Sequence, residues 1–68
     1  MTSVNSEILE QKWQDLKVLM ESIESDIIKN VKGNKSAGVR ARKGLRLLKK
    51  QATELVKATL NQDKSDVE

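Results

Sequence analysis

Residues 32–43, KGNKSAGVRARK, lie just short of the middle of the chain and decide its fold. Gly33 can adopt a positive φ, so it fits the position just past the end of a helix. Asn34 follows as the predicted N-cap of a second helix, with Ser36 as the alternative. A connection this short brings the two flanking helices together antiparallel. The stretch therefore predicts a helical hairpin that bends at Gly33.

The segment before the turn carries apolar residues at heptad spacing. Steps of four and three residues alternate along it, which is the pattern of a helix with one apolar seam. A first helix is predicted over about residues 4–31. Its predicted seam consists of Leu9, Trp13, Leu16, Met20, Ile23 and Ile27.

The segment after the turn repeats the pattern, with small residues near the turn. Ala37, Gly38, Ala41 and Gly44 favour a close approach of the two backbones. A second helix is predicted over about residues 36–61, after a turn at 32–35, and the acidic tail 62–68 is expected to fray. The whole chain, 1–68, is predicted to be one domain. The second seam consists of Ala41, Leu45, Leu48, Ala52, Leu55 and Thr59.

The composition indicates that one hairpin is not enough. A chain of 68 residues buries too little surface for a robust core, and without Cys it has no disulfide to compensate. Further apolar residues lie off the seams and widen the apolar faces: Leu19, Ile28, Leu47, Val56 and Leu60. The predicted fold class is all-α, an antiparallel, coiled-coil-like hairpin that dimerises into a four-helix bundle. Trp13 is expected in that core, with stacking on a ligand or nucleobase as the alternative.

Several classes of function find no support in the sequence. The chain has no Cys and no His, which removes the usual nucleophile–base pairs and metal ligands, so we expect neither an enzyme nor a cofactor. No apolar run approaches the roughly 18 residues that span a bilayer. The N-terminus has no basic region followed by an apolar stretch, so a cytoplasmic protein is expected.

The net charge of +3 conceals a strong asymmetry. Residues 1–28 carry two Lys against six acids, whereas residues 29–57 carry ten Lys or Arg against one acid. Cations along a rod suit duplex phosphates, where their binding releases counterions and reads no base edge. The predicted nucleic-acid-binding residues are Lys32, Lys35, Arg40, Arg42, Lys43, Arg46, Lys49 and Lys50.

Two other interpretations of the cations stay open. They could form a solvated face that pairs with acids of the first helix, in a bundle that binds only protein. The acids that could bridge the helices in this way are Glu10, Asp15, Glu21, Glu24 and Asp26. Binding to a membrane surface is the third interpretation, and it is less favoured because the apolar faces are needed inside the bundle.

The turn region also resembles a known family. Leu19-Met20-Glu21-Ser22-Ile23, then Lys29, then residues 32–42 are similar to the N-terminal part of the bacterial linker-histone-like proteins, best known as the chlamydial nucleoid-condensing histones. The matching core consists of Gly33, Asn34, Lys35, Ala37, Arg40 and Arg42, and the resemblance continues through Leu48, Lys50 and Ala52.

The resemblance implies a small, non-enzymatic protein that binds DNA without sequence preference and compacts it. Combined with the charge pattern, it predicts a nucleoid-associated homodimer that contacts the phosphates of duplex DNA, with RNA left open. The alternative is a self-associating helical-bundle interaction module that does not bind nucleic acid.

Overall fold

The computed structural model describes residues 4–66, and the side chains of residues 6–63. Within that range the chain forms two helices, α1 (Val4–Val31) and α2 (Lys35–Asp66). They lie side by side and antiparallel in a rod of 53 × 19 × 12 Å. The predicted all-α hairpin is thereby confirmed, and it forms a single layer of helices because its smallest dimension is about that of one helix.

Helix α2 continues beyond the predicted end at residue 61. It runs to Asp66, and residues 67 and 68 of the expected fraying tail lie outside the described residues. No Gly or Pro follows Gly44, so nothing in the sequence breaks the helix. The Ser6 Oγ also donates a hydrogen bond to Gln62 Oε1 at 3.0 Å, which ties the last turns of α2 to the start of α1.

The turn at Gly33 has the geometry that its sequence predicts. Gly33 adopts a φ of 103°. Its N–H donates to Asn30 O at 2.9 Å, and the N–H of Asn34 donates to Lys29 O at 3.1 Å. These two bonds form a Schellman motif, which satisfies the last carbonyls of α1. Asn34 then caps α2, since its Oδ1 accepts a bond from the N–H of Ala37 at 2.9 Å.

The core between the helices is small. Only five described side chains are buried, three of them alanines: Leu16, Ile23, Ala37, Ala41 and Ala58. No large side chain among the described residues is fully buried. Such a core contributes little hydrophobic stabilisation, because burial energy scales with the apolar area removed from water.

Several residues of the two predicted seams do not lie at the contact between α1 and α2, so this prediction is partly wrong. Trp13 and Met20 are each 46% exposed, and Leu45 is 44% exposed. The residue just before each of them, namely Lys12, Leu19 and Gly44, is half-buried at the interface instead. The same one-residue shift replaces Ile27 by Asp26 and Ala52 by Gln51.

The shift has a steric and an electrostatic cause. A Cβ built on Gly44 would lie 2.7 Å from Ile23 Cγ1, so Ile23 occupies the space that a side chain at Gly44 would fill. The close contact at Gly44 rotates each helix about its own axis, a rotation called the roll below, so that smaller residues face the other helix. Two of the polar residues this brings inward, Lys12 and Asp26, are paired: Arg40 Nε lies 3.1 Å from Asp26 Oδ1, and Lys12 Nζ lies 3.8 Å from Glu54 Oε1. The third, Gln51, has a buried side-chain oxygen without a hydrogen-bond partner among the described residues.

The roll gives the hairpin two different faces. At 100° per residue, both ion pairs fall on one side of the buried core, here called the bridged face. Eight of the twelve exposed large apolar side chains fall on the opposite side, the apolar face. There Met20, Ile27 and Leu48 line a groove of about 550 Å³. The eight are Trp13, Met20, Ile27, Ile28, Val31, Leu45, Val56 and Leu60.

Candidate nucleic-acid interface

All eight cations predicted to bind nucleic acid are exposed to solvent. Lys32 lies in the turn and Lys35 is the first residue of α2, so both are at the tip of the rod. The other six follow along α2: Arg40, Arg42, Lys43, Arg46, Lys49 and Lys50. The structure therefore places the whole set on one helix and the turn that precedes it.

The tip of the rod concentrates positive charge. Lys29 lies in the last turn of α1, and the first turn of α2 contains no acidic residue. The N-terminal end of a helix itself carries a partial positive charge because its first amides have no partners within the helix. Lys35 lies at that end without an acidic neighbour to offset it. The tip thus combines side-chain and backbone positive charge, as anion-binding helix ends do.

A row of cations continues along the outer side of α2, away from α1. Lys43, Lys50 and Lys57 recur every seven residues, with Arg46 between the first two. At 1.5 Å per residue this outer row is about 21 Å long. Lys57 is exposed like the others and shares a shallow depression with Arg46 and Lys50. Lys57 is not one of the eight predicted binding residues, but its spacing in the sequence already predicts one outward stripe with Lys43, Arg46 and Lys50.

Almost none of these cations is neutralised within the hairpin. The described residues form two ion pairs, and Arg40 is the only member of the predicted set in either. Its Nε binds Asp26, while half of its side chain remains exposed. Of the five α1 acids that could bridge the helices, Asp26 alone reaches a cation of α2. The solvated-face interpretation therefore accounts for Arg40 and leaves the other seven cations unpaired among residues 6–63.

Trp13 is not brought to the cations. It lies on α1, on the apolar face, whereas the outer row lies on the side of α2 that is turned away from α1. A base held by the row would be on the far side of α2 from the indole ring. The arrangement gives no support to a stacking role for Trp13 beside the row.

Neither a metal-binding cluster nor a membrane-spanning helix is found in the part of the chain that is described. No three acids within residues 6–63 lie close enough together to hold a metal ion. Neither α1 nor α2 combines the length and apolarity that a bilayer crossing requires.

Comparison with known proteins identifies the family. A family model described as histone H1-like protein Hc1 matches residues 10–65. No curated protein and no solved structure matches the chain. The matched range includes the turn, all eight predicted cations and most of both helices. It also agrees with the family that the residues around Gly33 resemble. Because the match covers well over half of its 68 residues, the chain belongs to the histone H1-like Hc1 family.

Proposed function

We propose that this protein is a small, non-enzymatic, histone-like DNA-binding protein that contacts the phosphates of duplex DNA. The observation that carries the proposal is a set of seven exposed cations on α2 and the turn that have no carboxylate partner among residues 6–63. Membership of the histone H1-like Hc1 family supports the same conclusion. On this proposal the protein acts in the cytoplasm as a component of the nucleoid.

The geometry favours binding without sequence preference. Duplex DNA carries about one negative charge per 1.7 Å of its axis with both strands counted, so the length of duplex beside an outer row of about 21 Å carries a dozen or so phosphates, of which only those on the near side can be contacted. Contacts to phosphate oxygens fix position on the duplex but carry no sequence information. The Lys and Arg side chains of the row are long and exposed, and nothing in the described residues holds them in a fixed pattern that would match particular base edges.

Self-association is the second part of the proposal. A single layer of two helices with a core made largely of alanines leaves eight large apolar side chains on one face. Domains normally need two packed layers to cover such a face. We therefore propose that two hairpins pair into a four-helix bundle, which would present two outer rows of cations on one particle.

A salt titration tests the DNA-binding part. Affinity for a mixed-sequence DNA duplex would be measured between about 50 and 200 mM salt, where counterion release has its full effect. If four to six phosphates are neutralised, log K should fall with log salt at a slope of about −4 to −5. Two duplexes of unrelated sequence should bind equally, and an RNA duplex of the same length would show whether DNA is preferred.

A variant of the outer row supplies the matched test. Replacing Lys43, Arg46 and Lys50 by Gln should reduce the slope by about 0.9 for each lost phosphate contact. The oligomeric state of the protein in solution should stay unchanged, since these residues point away from the apolar face. Absence of binding at about 50 mM salt would reject phosphate binding by the row, and so would a salt slope that is the same in the triple variant as in the parent. A protein interaction module without nucleic-acid binding would then be the better interpretation.

A further inference from the structure

We infer that the apolar face binds the same face of a second copy around a two-fold axis parallel to the helices. In this arrangement α1 of each copy packs against α2 of the other, and both Gly33 turns lie at the same end of the bundle. The inference rests on the proposed self-association and is independent of DNA binding. It specifies which face is buried, how the copies are oriented and which cations lie at their interface.

The apolar face is large enough for a stable dimer. The two longer dimensions of the rod are 53 and 19 Å, whose product is about 1,000 Å². Stable interfaces bury about 800 Å² on each partner. The groove at Met20, Ile27 and Leu48 lies within this face and can accept side chains from a second copy. The bridged face is a poorer choice, because covering it would bury the Asp26–Arg40 and Lys12–Glu54 pairs.

The two edges of the apolar face carry opposite charge. On the α2 edge, Lys35, Arg42 and Lys49 recur every seven residues. The α1 edge carries three acids and one base: Glu10, Glu21, Glu24 and Lys17. Pairs of charges flanking an apolar seam select the partner and the orientation of packed helices.

This asymmetry distinguishes the two symmetric ways of stacking the face on itself. With the two-fold axis perpendicular to the helices, α1 would lie on α1 and α2 on α2, so acids would meet acids and bases would meet bases. With the axis parallel to the helices, the acidic edge of each copy meets the basic edge of the other. Like charges placed opposite each other disfavour an arrangement, so the second one is selected.

The register of the hairpin identifies the pairs of charges. Within one chain, Asp26 lies level with Arg40 and Ile23 lies level with Gly44. Glu24 is therefore level with Arg42 and Lys43, and a two-fold axis parallel to the helices preserves these levels. Glu24 of one copy then faces Arg42 of the other.

One pair of edge charges is unfavourable in this arrangement. Lys17 lies level with Lys49, as judged from the pairing of Lys12 with Glu54. Glu21 follows Lys17 at the i, i+4 spacing, so it lies on the same edge and can interact with both ammonium groups. The balance along the edge therefore remains attractive.

The arrangement divides the cations of α2 between two tasks. Arg42 and Lys49 lie at the rim of the dimer, where Arg42 faces Glu24 of the other copy and Lys49 lies near its Lys17 and Glu21. Lys43, Arg46, Lys50 and Lys57 point outward and remain available to phosphates. Substitutions at Arg42 should thus affect self-association, whereas substitutions at Lys50 should not.

A charge swap tests the orientation. Glu24→Arg and Arg42→Glu should each weaken self-association about tenfold, which corresponds to the interaction energies of neighbouring charges in double-mutant cycles. The double variant E24R/R42E should recover to within about threefold of the parent, because it restores an opposite pair. Sedimentation would measure the mass, and the emission of Trp13, which is 46% exposed in the single hairpin, should shift to the blue as the dimer forms.

A second pair of variants tests the face. Met20→Asp places a charge in the centre of the apolar face and should abolish the dimer. Val18→Asp is the matched control, since Val18 is 65% exposed on the outer side of α1. This substitution should leave the dimer intact. Circular dichroism would show that each variant retains its helices.

The possible failures are distinguishable. A dimer that survives Met20→Asp overturns the choice of face. A dimer that Met20→Asp dissociates but that E24R/R42E does not restore overturns the orientation and leaves the face correct. A parent protein that sediments as a helical monomer at tens of micromolar overturns self-association together with this inference, and the DNA-binding titration is unaffected by any of the three results.

Discussion

Gly44 of α2 lies directly beneath Ile23 of α1, so close that a Cβ on Gly44 would come within 2.7 Å of Ile23 Cγ1. The atom in conflict is not the end of the side chain, and Ile23 is only 5% exposed in the core, so it cannot move aside. We expect Gly44→Ala to lower the free energy of unfolding by about 1 kcal/mol. Overpacking costs about 1–3 kcal/mol, while the helix propensity of Ala returns up to about 1 kcal/mol. Thermal unfolding at one fixed protein concentration would measure the change.

Gly38→Ala is the control for that substitution. A Cβ at Gly38 would meet Nδ2 of Asn30, which is the end of a side chain exposed to solvent. Asn30 can rotate away at the cost of its bond to Asn34 O. The gain in helix propensity should therefore make Gly38→Ala neutral or slightly stabilising. Equal losses of stability for the two substitutions would contradict the proposal that the contact with Ile23 makes Gly44 the more sensitive position.

The cap of α2 gives a second prediction. Asn34→Ala removes the bond from Asn34 Oδ1 to the N–H of Ala37 and should cost about 1 kcal/mol of stability. Ser36→Ala, at the alternative cap position, should have little effect because Asn34 already occupies the cap. Chemical denaturation would compare the stability of the two variants. A larger loss of stability for Ser36→Ala than for Asn34→Ala would show that Ser36, and not Asn34, is the cap.

The pairing of Asp26 with Arg40 gives a third prediction. Asp26→Asn should release the Arg40 guanidinium and raise affinity for duplex DNA, with the salt slope steeper by about 0.9 if one phosphate contact is added. The stability loss should stay within about 1 kcal/mol, because the Arg40 side chain is 51% exposed. Asp15→Asn makes the same charge change at a residue without a cationic partner, and should leave the slope unaltered.

The outer row gives a fourth prediction. Lys57→Gln should weaken DNA binding as much as Lys50→Gln does, since both are exposed members of the same heptad series on α2. Each should reduce the salt slope by about 0.9. Lys17→Gln removes the same charge from α1 and should change the slope less. An effect of Lys17→Gln as large as that of Lys57→Gln would indicate that net charge, rather than the row, governs binding.

The turn was predictable because its chemistry is local. Only a residue that tolerates positive φ fits the position of Gly33, and Asn34 is a good cap wherever a helix follows. The exposure of the cations was predictable for a similar reason, since Lys and Arg are almost never buried without partners.

The packing of the hairpin was only half predictable, because each helix carries two overlapping heptad series. Leu9, Leu16 and Ile23 belong to both, and the choice lay between adding Trp13 and Met20 or adding Lys12 and Leu19. Apolarity pointed to the first pair. The structure uses the second, because contact at Gly44 rolls the helices and the ion pairs offset the polarity of Lys12 and Asp26. A signal was present in the sequence: opposite charges at 12 and 54, and at 26 and 40, are placed symmetrically about the turn at Gly33.

The Schellman turn also determines the order in which the hairpin can assemble. Towards the turn, the interhelical pair Asp26 and Arg40 is separated by 14 residues of chain, whereas Ser6 and Gln62 at the other end are separated by 56. Closing a longer loop costs more chain entropy, so each contact near the turn shortens the effective loop for the next one. We therefore expect assembly to start near Gly33 and to proceed outward, as in a fast-folding protein of low contact order. Amide hydrogens should consequently exchange most slowly beside the turn and progressively faster towards the ends of the chain.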